Sequence, residues 1–190
     1  SYGLGMAFAL LVGIPLGIAM ARVKSIGRIL GLWVNIFVSA PISALVPILM
    51  AVIGIGETTV VVTVFLFAVF VITLDTQVGI SHADRSLVEM ARAFGATRGQ
   101  LYRKVLVLSA LPEIVAGLRL GAIRGVKGVV IGQLLVSIVG FGALFELYSS
   151  RFLMEHFWAL LFVLFAFAFA LNEGLAWLEH GVLLEHGAQV

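Results

Sequence analysis

Thr58 to Leu74 reads TTVVVTVFLFAVFVITL, seventeen residues without a charge. In a soluble protein its β-branched run, Val60 to Val64, would suggest a strand. Length decides otherwise. A membrane strand takes about 9–11 residues and alternates in polarity, whereas a spanning helix takes about 17–25 apolar residues. The stretch is therefore expected to cross a bilayer as a helix. The rest of the chain agrees: of 190 residues, 62% are hydrophobic and only 12% charged, against about 25% charged in soluble domains. A soluble core of this size could not hide so much apolar surface, and the excess would aggregate.

Four further candidate spans lie outward from this one. Leu4 to Met20 contains Gly13, Pro15 and Gly17, expected to break it internally. Leu32 to Ile53 carries Pro41 and Pro47. Ile114 to about Ile138 carries Arg119, Arg124 and Lys127 in its first half. Phe157 to about Leu178 is rich in Phe. The expected fold class is all-α: a polytopic transmembrane helix bundle of about five spans, one domain over residues 1–190. Ser1 is not an initiator Met, and no basic segment with a cleavage site follows it. A segment preceding residue 1 is therefore expected, and no signal peptide is read. With no cysteine, disulfides, thiolate metal sites and cysteine nucleophiles are excluded.

Charge sets the orientation, because Lys and Arg accumulate on the cytoplasmic side. Arg22, Lys24 and Arg28 fall in the first connection, Arg22 to Gly31. Arg85, Arg92, Arg98, Arg103 and Lys104 fall in the third, Gln77 to Pro112. Arg119, Arg124 and Lys127 follow at the start of the fourth span. Opposite them stands only Arg151, so eleven basic residues oppose one. The first and third connections are read as cytoplasmic. The acidic tail with Glu173, Glu179 and Glu185 lends no support, but acids count little in this rule.

The loop at about 77–112 carries most of the information. Ser86-Leu87-Val88-Glu89 reads as a capping box that opens a short helix. Gly95 is placed to end that helix near Phe94. Thr97-Arg98-Gly99-Gln100 is a second capping box, and Pro112 suits the first turn of a new helix. The short helix would present Leu87, Met90, Ala91 and Phe94 beside Arg92. On pattern alone, it could dock into a partner or lie on the membrane surface.

Glu89-Met90-Ala91, three residues and then Gly95 resembles the "EAA–G" loop of ABC importer permeases. In that family, the motif continues as I-x-L-P after nine residues. Here Val105-Leu106-Val107-Leu108 stands there, with Leu108 in place of the proline, and a Leu-Pro follows at Leu111-Pro112. The stretch Val88 to Gly121 is similar to the nitrate/sulfonate/taurine branch. Gly54-Ile55-Gly56-Glu57 and Gly140-Phe141-Gly142 also fit.

The resemblance implies a permease subunit in the bacterial inner membrane that forms a translocation path, for a small anion such as nitrate, sulfonate or taurine. Leu87, Glu89, Met90, Ala91, Arg92, Phe94 and Gly95 would form a coupling helix seated on an ATPase subunit. The implied partners are two ATPase subunits, a second permease copy (identical or closely related), a periplasmic or lipid-anchored substrate-binding protein, and lipid. The sequence has no G-x-x-x-x-G-K-[ST] phosphate loop, so ATP hydrolysis would belong to the partner. No cofactor, metal or nucleic-acid partner is expected.

Other residues keep two readings. Arg124 and Lys127, near the cytoplasmic start of the fourth span, either snorkel toward the cytoplasm or line an anion's path. Asp75, at the cytoplasmic end of the third span, forms a structural ion pair or takes part in transport. Asp75, His82 and Asp84 match no metal-ligand spacing. The pairs Glu179-His180 and Glu185-His186 read as surface. Gly13-x3-Gly17, Gly121-x3-Gly125 and Gly128-x3-Gly132 allow close helix packing without selecting where. An ion-coupled secondary transporter is the alternative. It would need an intramembrane acid, and Asp75 is the one candidate. An intramembrane enzyme would need a converging polar set in the spans, and none is found.

Overall fold

The computed structural model describes residues 1–82, 85–136 and 140–185, and every described element is helical. Helix α1 (Tyr2–Arg22) is followed by α2 (Lys24–Ser39), a 3-10 turn (Ile42–Leu45) and α3 (Val46–Ile53). Then come α4 (Glu57–Ser81), α5 (Arg85–Ala93) and α6 (Arg98–Leu101). A π turn (Tyr102–Leu106), α7 (Val107–Ser109), α8 (Leu111–Val136), α9 (Gly140–Ser150) and α10 (Met154–Glu185) complete the chain. Three helices, α1, α4 and α10, are each long and apolar enough to cross a membrane. The bent pair α2 with the 3-10 turn and α3, and the bent run from α6 into α8, raise the number to five.

The opening stretch of sequence becomes the centre of the bundle. In α4, Thr59, Val60, Thr63, Val64, Ala68, Thr73 and Thr76 have no exposed surface. Buried hydroxyls are mostly partnered, though Thr76 Oγ1 has no partner among the described residues. Thr63 and Thr73 donate to the carbonyls of Thr59 and Val69 one turn back, both at 2.8 Å. Thr59 donates to the Gly54 carbonyl at 2.5 Å, which ties the helix start to the preceding turn. Gly54, with φ +102 and ψ 171, lies in a region essentially closed to residues with a Cβ.

Glycines bring two helices against α4. On α1, Gly5, Gly13 and Gly17 lie one or two turns apart. A Cβ at Gly5 would stand 2.6 Å from Val64 Cβ, and one at Gly17 would stand 2.6 Å from the Thr73 carbonyl oxygen. On α8, Gly117, Gly121, Gly125, Gly128 and Gly132 meet Asp75, Ile72, Val64, Val64 with Phe67, and Val60 in turn. The order shows that α1 runs parallel to α4 and α8 antiparallel. The small-residue spacing seen in the sequence thus serves packing inside this chain. Met6, Ala9, Ala68, Val69, Ile72 and Ala122 form the core where the three helices meet, and Tyr2 donates to the Ala122 carbonyl at 3.1 Å.

Several boundaries differ from the sequence reading. α1 runs through Pro15 unbroken; in lipid, leaving the helix would strand backbone groups that have no other partners. The first connection shrinks to Val23, because α2 begins at Lys24. The second span is bent by 91°. Ala40 is extended, at φ -72 and ψ 148, as the residue before a proline must be, and Pro41 has no N–H to continue the ladder. α4 continues to Ser81, so Asp75 lies six residues, about 9 Å, inside the helix rather than at its end. The run from α6 into α8 bends by 57° just ahead of Pro112.

Candidate functional site

Two regions carry the functional candidates, one on the loop and one in the bundle. In the loop, α5 is a nine-residue helix held away from the core. Leu87 is 39% exposed, Met90 52% and Phe94 86%. They recur at i, i+3 and i+7, which puts them on one face. Glu89 and Arg92 are exposed, and Ala91 is half-buried.

The helix ends in a Schellman turn. Ala96 N–H donates to the Ala91 carbonyl at 3.0 Å and Gly95 N–H to the Arg92 carbonyl at 2.9 Å, with Gly95 at φ +76. This is the 6→1 and 5→2 pattern that needs a left-handed residue. Arg85 and Ser86 both lie in α5, and the two residues before Arg85 lie outside those described. The second box forms. Thr97 N–H donates to Gln100 Oε1 at 2.9 Å, and Gln100 N–H donates to Thr97 Oγ1 at 3.3 Å.

In the bundle, the break between α2 and α3 faces Arg124 and Lys127. A cavity of about 300 Å³ is lined by Val38, Ala40, Pro41, Ile42 and Ser43 at the break, Phe67 of α4, and Arg124, Lys127 and Ile131 of α8. Backbone that leaves the helical ladder at membrane depth is tolerated where it lines a cavity or is buried in protein. The two cations sit three residues apart, on one side of α8.

α8 starts at Leu111, so Lys127 lies about 24 Å along that helix. Gly128 beside it packs on Val64 and Phe67, well inside α4. Setting aside Arg119, Arg124 and Lys127, all within α8, leaves eight of the eleven cytoplasmic cations against one. The orientation therefore stands.

Asp75 lies against Gly117 of α8. No Asp75–Arg124 pair closer than 4 Å is seen among the described residues. His82 ends α4, Asp84 lies outside the described residues, and no cluster of potential metal ligands occurs among those described. Glu179 and His180 belong to α10, with side chains that are not described; of the second pair, His186 lies outside the described residues.

Sequence reasoning missed the contribution of Ala40, Pro41, Ser43 and Phe67 to the cavity. The available signal was a proline in the middle of an apolar run long enough to span. A second, larger cavity between α8, α9 and α10 contains Lys127 again, together with Glu146.

The structure defines a polytopic all-α membrane protein with a docking-sized helix on its basic side. The chain belongs to the family of binding-protein-dependent transport system inner membrane components, whose pattern matches residues 13–183. It is 34% identical over 140 residues to the glycine betaine/carnitine/choline transport system permease protein OpuCD of Bacillus subtilis (strain 168), covering 74% of this chain and 59% of that protein. It is 28% identical over 184 residues to the taurine transport system permease protein TauC of Escherichia coli (strain K12), covering 97% of this chain and 67% of that one. The chain thus spans about three fifths of OpuCD's length. Among solved structures, an inward-facing form of the MetNI methionine ABC transporter matches with a TM-score of 0.80 at 22% identity, over 95% of this chain and 90% of that one. At that identity the match shows the fold.

Proposed function

We propose that this chain is the permease subunit of an ATP-driven importer and that α5 is its docking element for a separate ATPase. The carrying observation is the exposed stripe of Leu87, Met90 and Phe94 on a helix terminated by Gly95, in a chain of this family. An exposed apolar stripe beside charged residues is what a partner's groove receives. Two ATPase subunits require two such helices, hence a second permease copy, and a binding protein would deliver substrate from the other side. Family membership counts against the ion-coupled alternative, although Asp75 lies deeper than the sequence suggested. The direct test is affinity purification of the permease from native membranes. An ATPase is expected to accompany the parent in equal number and to be lost when Leu87, Met90 and Phe94 are all changed to Ser. Retention of the ATPase by that triple variant would overturn the docking assignment.

The cavity at the helix break supports a finer reading. Arg124 and Lys127 provide two positive charges at membrane depth, where such charges mark ion and substrate routes. The transported molecule is then a small organic acid whose carboxylate or sulfonate passes these cations. Taurine, glycine betaine and carnitine, named for the relatives, carry such a group. Choline does not, and this reading excludes it.

A further inference from the structure

The larger cavity, about 810 Å³, lies between one face each of α8, α9 and α10. That volume is within the range of about 300–1,000 Å³ of small-molecule sites, which are apolar and aromatic with a few placed polar groups. Its walls follow this pattern. Phe145 and Phe157 meet edge to face at 5.0 Å, and Phe165 also lines the space. Among these apolar side chains stand two opposite charges, Lys127 on α8 and Glu146 on α9.

Three observations make the pair notable. Both side chains are exposed to the cavity. No ion pair closer than 4 Å joins them among the described residues, so the space between them is not closed by their own contact. Lys127 and Ile131 also line the smaller cavity with Arg124, so Lys127 borders both spaces. α9 is fixed where its Gly142 abuts the Gln133 backbone and Phe141 N–H donates to Gln133 Oε1 at 3.0 Å. Gln133 is six residues beyond Lys127, on the order of 9 Å along α8.

We propose that this cavity is a subsite for a zwitterion, with the acid group at Lys127 and a cationic nitrogen at Glu146. The assignment rests on the reading of Arg124 and Lys127 as path cations and adds a second requirement to it. Glu146 supplies the charge that an ammonium needs in a poorly hydrated space. Phe145, Phe157 and Phe165 supply ring faces and edges for its alkyl groups, an environment that suits a quaternary nitrogen as well as a primary one.

The test is equilibrium binding to the assembled permease–ATPase complex in nanodiscs, without the binding protein. Two pairs of probes differ only in the cationic nitrogen: taurine against ethanesulfonate, and glycine betaine against 3,3-dimethylbutanoate. At least one zwitterion is expected to bind about tenfold more tightly than its nitrogen-free analogue. Glu146→Gln should erase that preference and leave binding of the analogue unchanged, while Glu146→Asp should restore part of it. Basal ATP hydrolysis monitors assembly of each variant. Equal binding of both members of each pair, a preference that survives Glu146→Gln, or no binding of any probe by the parent would each overturn the subsite. Failure of the cation reading is distinguishable, because then Lys127→Gln would leave ethanesulfonate binding at the parent level.

Discussion

Helices α4 and α10 are both long, apolar and rich in Phe, yet they occupy opposite situations. Half of α4's apolar window is buried in the chain, against 6% for α10. The difference comes from their neighbours. α4 is flanked by the glycine rows of α1 and α8, which let backbones approach and van der Waals contact accumulate where lipid supplies no hydrophobic drive between helices. α10 faces α8 and α9 across the large cavity. Its Gly174 has nothing within 4 Å of where a Cβ would stand, and Trp158, Phe162 and Phe169 point outward. One side of the molecule is locked and the other is open, and the groups assigned to function, α5, Lys127 and Glu146, belong to the open surfaces.

The largest effect is expected where the locked side is forced apart. A Cβ at Gly17 would meet the Thr73 carbonyl oxygen at 2.6 Å and Thr76 Cβ at 2.7 Å, and a backbone oxygen cannot rotate away. Gly17→Leu should destabilise the bundle by about 3 kcal/mol or more and sharply reduce the yield of folded protein in detergent. Gly174→Leu on α10 should stay within about 0.5 kcal/mol of the parent. Equal thermal unfolding of the two variants would abolish the distinction between the sides.

The next effect separates folding from coupling. Gly95 has open space around its Cβ position, so a side chain there fails through conformation alone. Gly95→Val places a β-branched residue at φ +76 and should cost about 1–2 kcal/mol locally, a factor of roughly 5–30 in the population of the capped helix. Substrate-stimulated ATP hydrolysis by the assembled complex should fall by a comparable factor, with the bundle's unfolding temperature unchanged. A variant that couples like the parent would show that α5 does not need its Schellman turn.

A smaller effect concerns Lys127. Lys127→Gln removes one of the two cavity cations and should lower uptake at subsaturating substrate by roughly five- to tenfold, the scale of one partly solvated charge contact. Lys127→Arg should keep most of it. Uptake by Lys127→Gln at the parent level would remove this charge from the path.

The sequence shows the locked side better than the open one. Charge-free length identifies α4 as a span, and the i, i+4 glycines on α1 and α8 announce close packing. Which helix they pack on depends on topology, which spacing does not encode. The C-terminal end of α5 was legible because a Schellman turn is local chemistry around Gly95. The level of Lys127 against α4 follows from antiparallel packing, with Gly128 on Val64 and Phe67, a long-range contact that spacing does not encode. The Ala40–Pro41 break was visible as a proline, but its placement opposite Arg124 and Lys127 is a long-range contact. Glu146 gave no signal, because α9 is too short to register as a span and the cavity needs three helix faces at once.

The smallest expected effect compares two turns with the same hydrogen bonds. At the end of α9, Leu153 N–H donates to the Tyr148 carbonyl at 2.9 Å and Phe152 N–H to the Ser149 carbonyl at 3.1 Å. This repeats the α5 ending, but with Phe152 at φ 54 where α5 has Gly95. A left-handed phenylalanine costs about 1–2 kcal/mol. Glycine there relieves that strain and loses about 0.5–1 kcal/mol through the greater freedom of the unfolded chain. Phe152 is 80% exposed, so its ring contributes little packing within the chain. The terms nearly cancel, and Phe152→Gly should raise the unfolding temperature of the purified permease by no more than roughly 2 °C. A fall of roughly 5 °C or more would mean that the ring is held by something outside this chain, lipid or a second copy. The open side of the molecule would then be covered in the membrane after all.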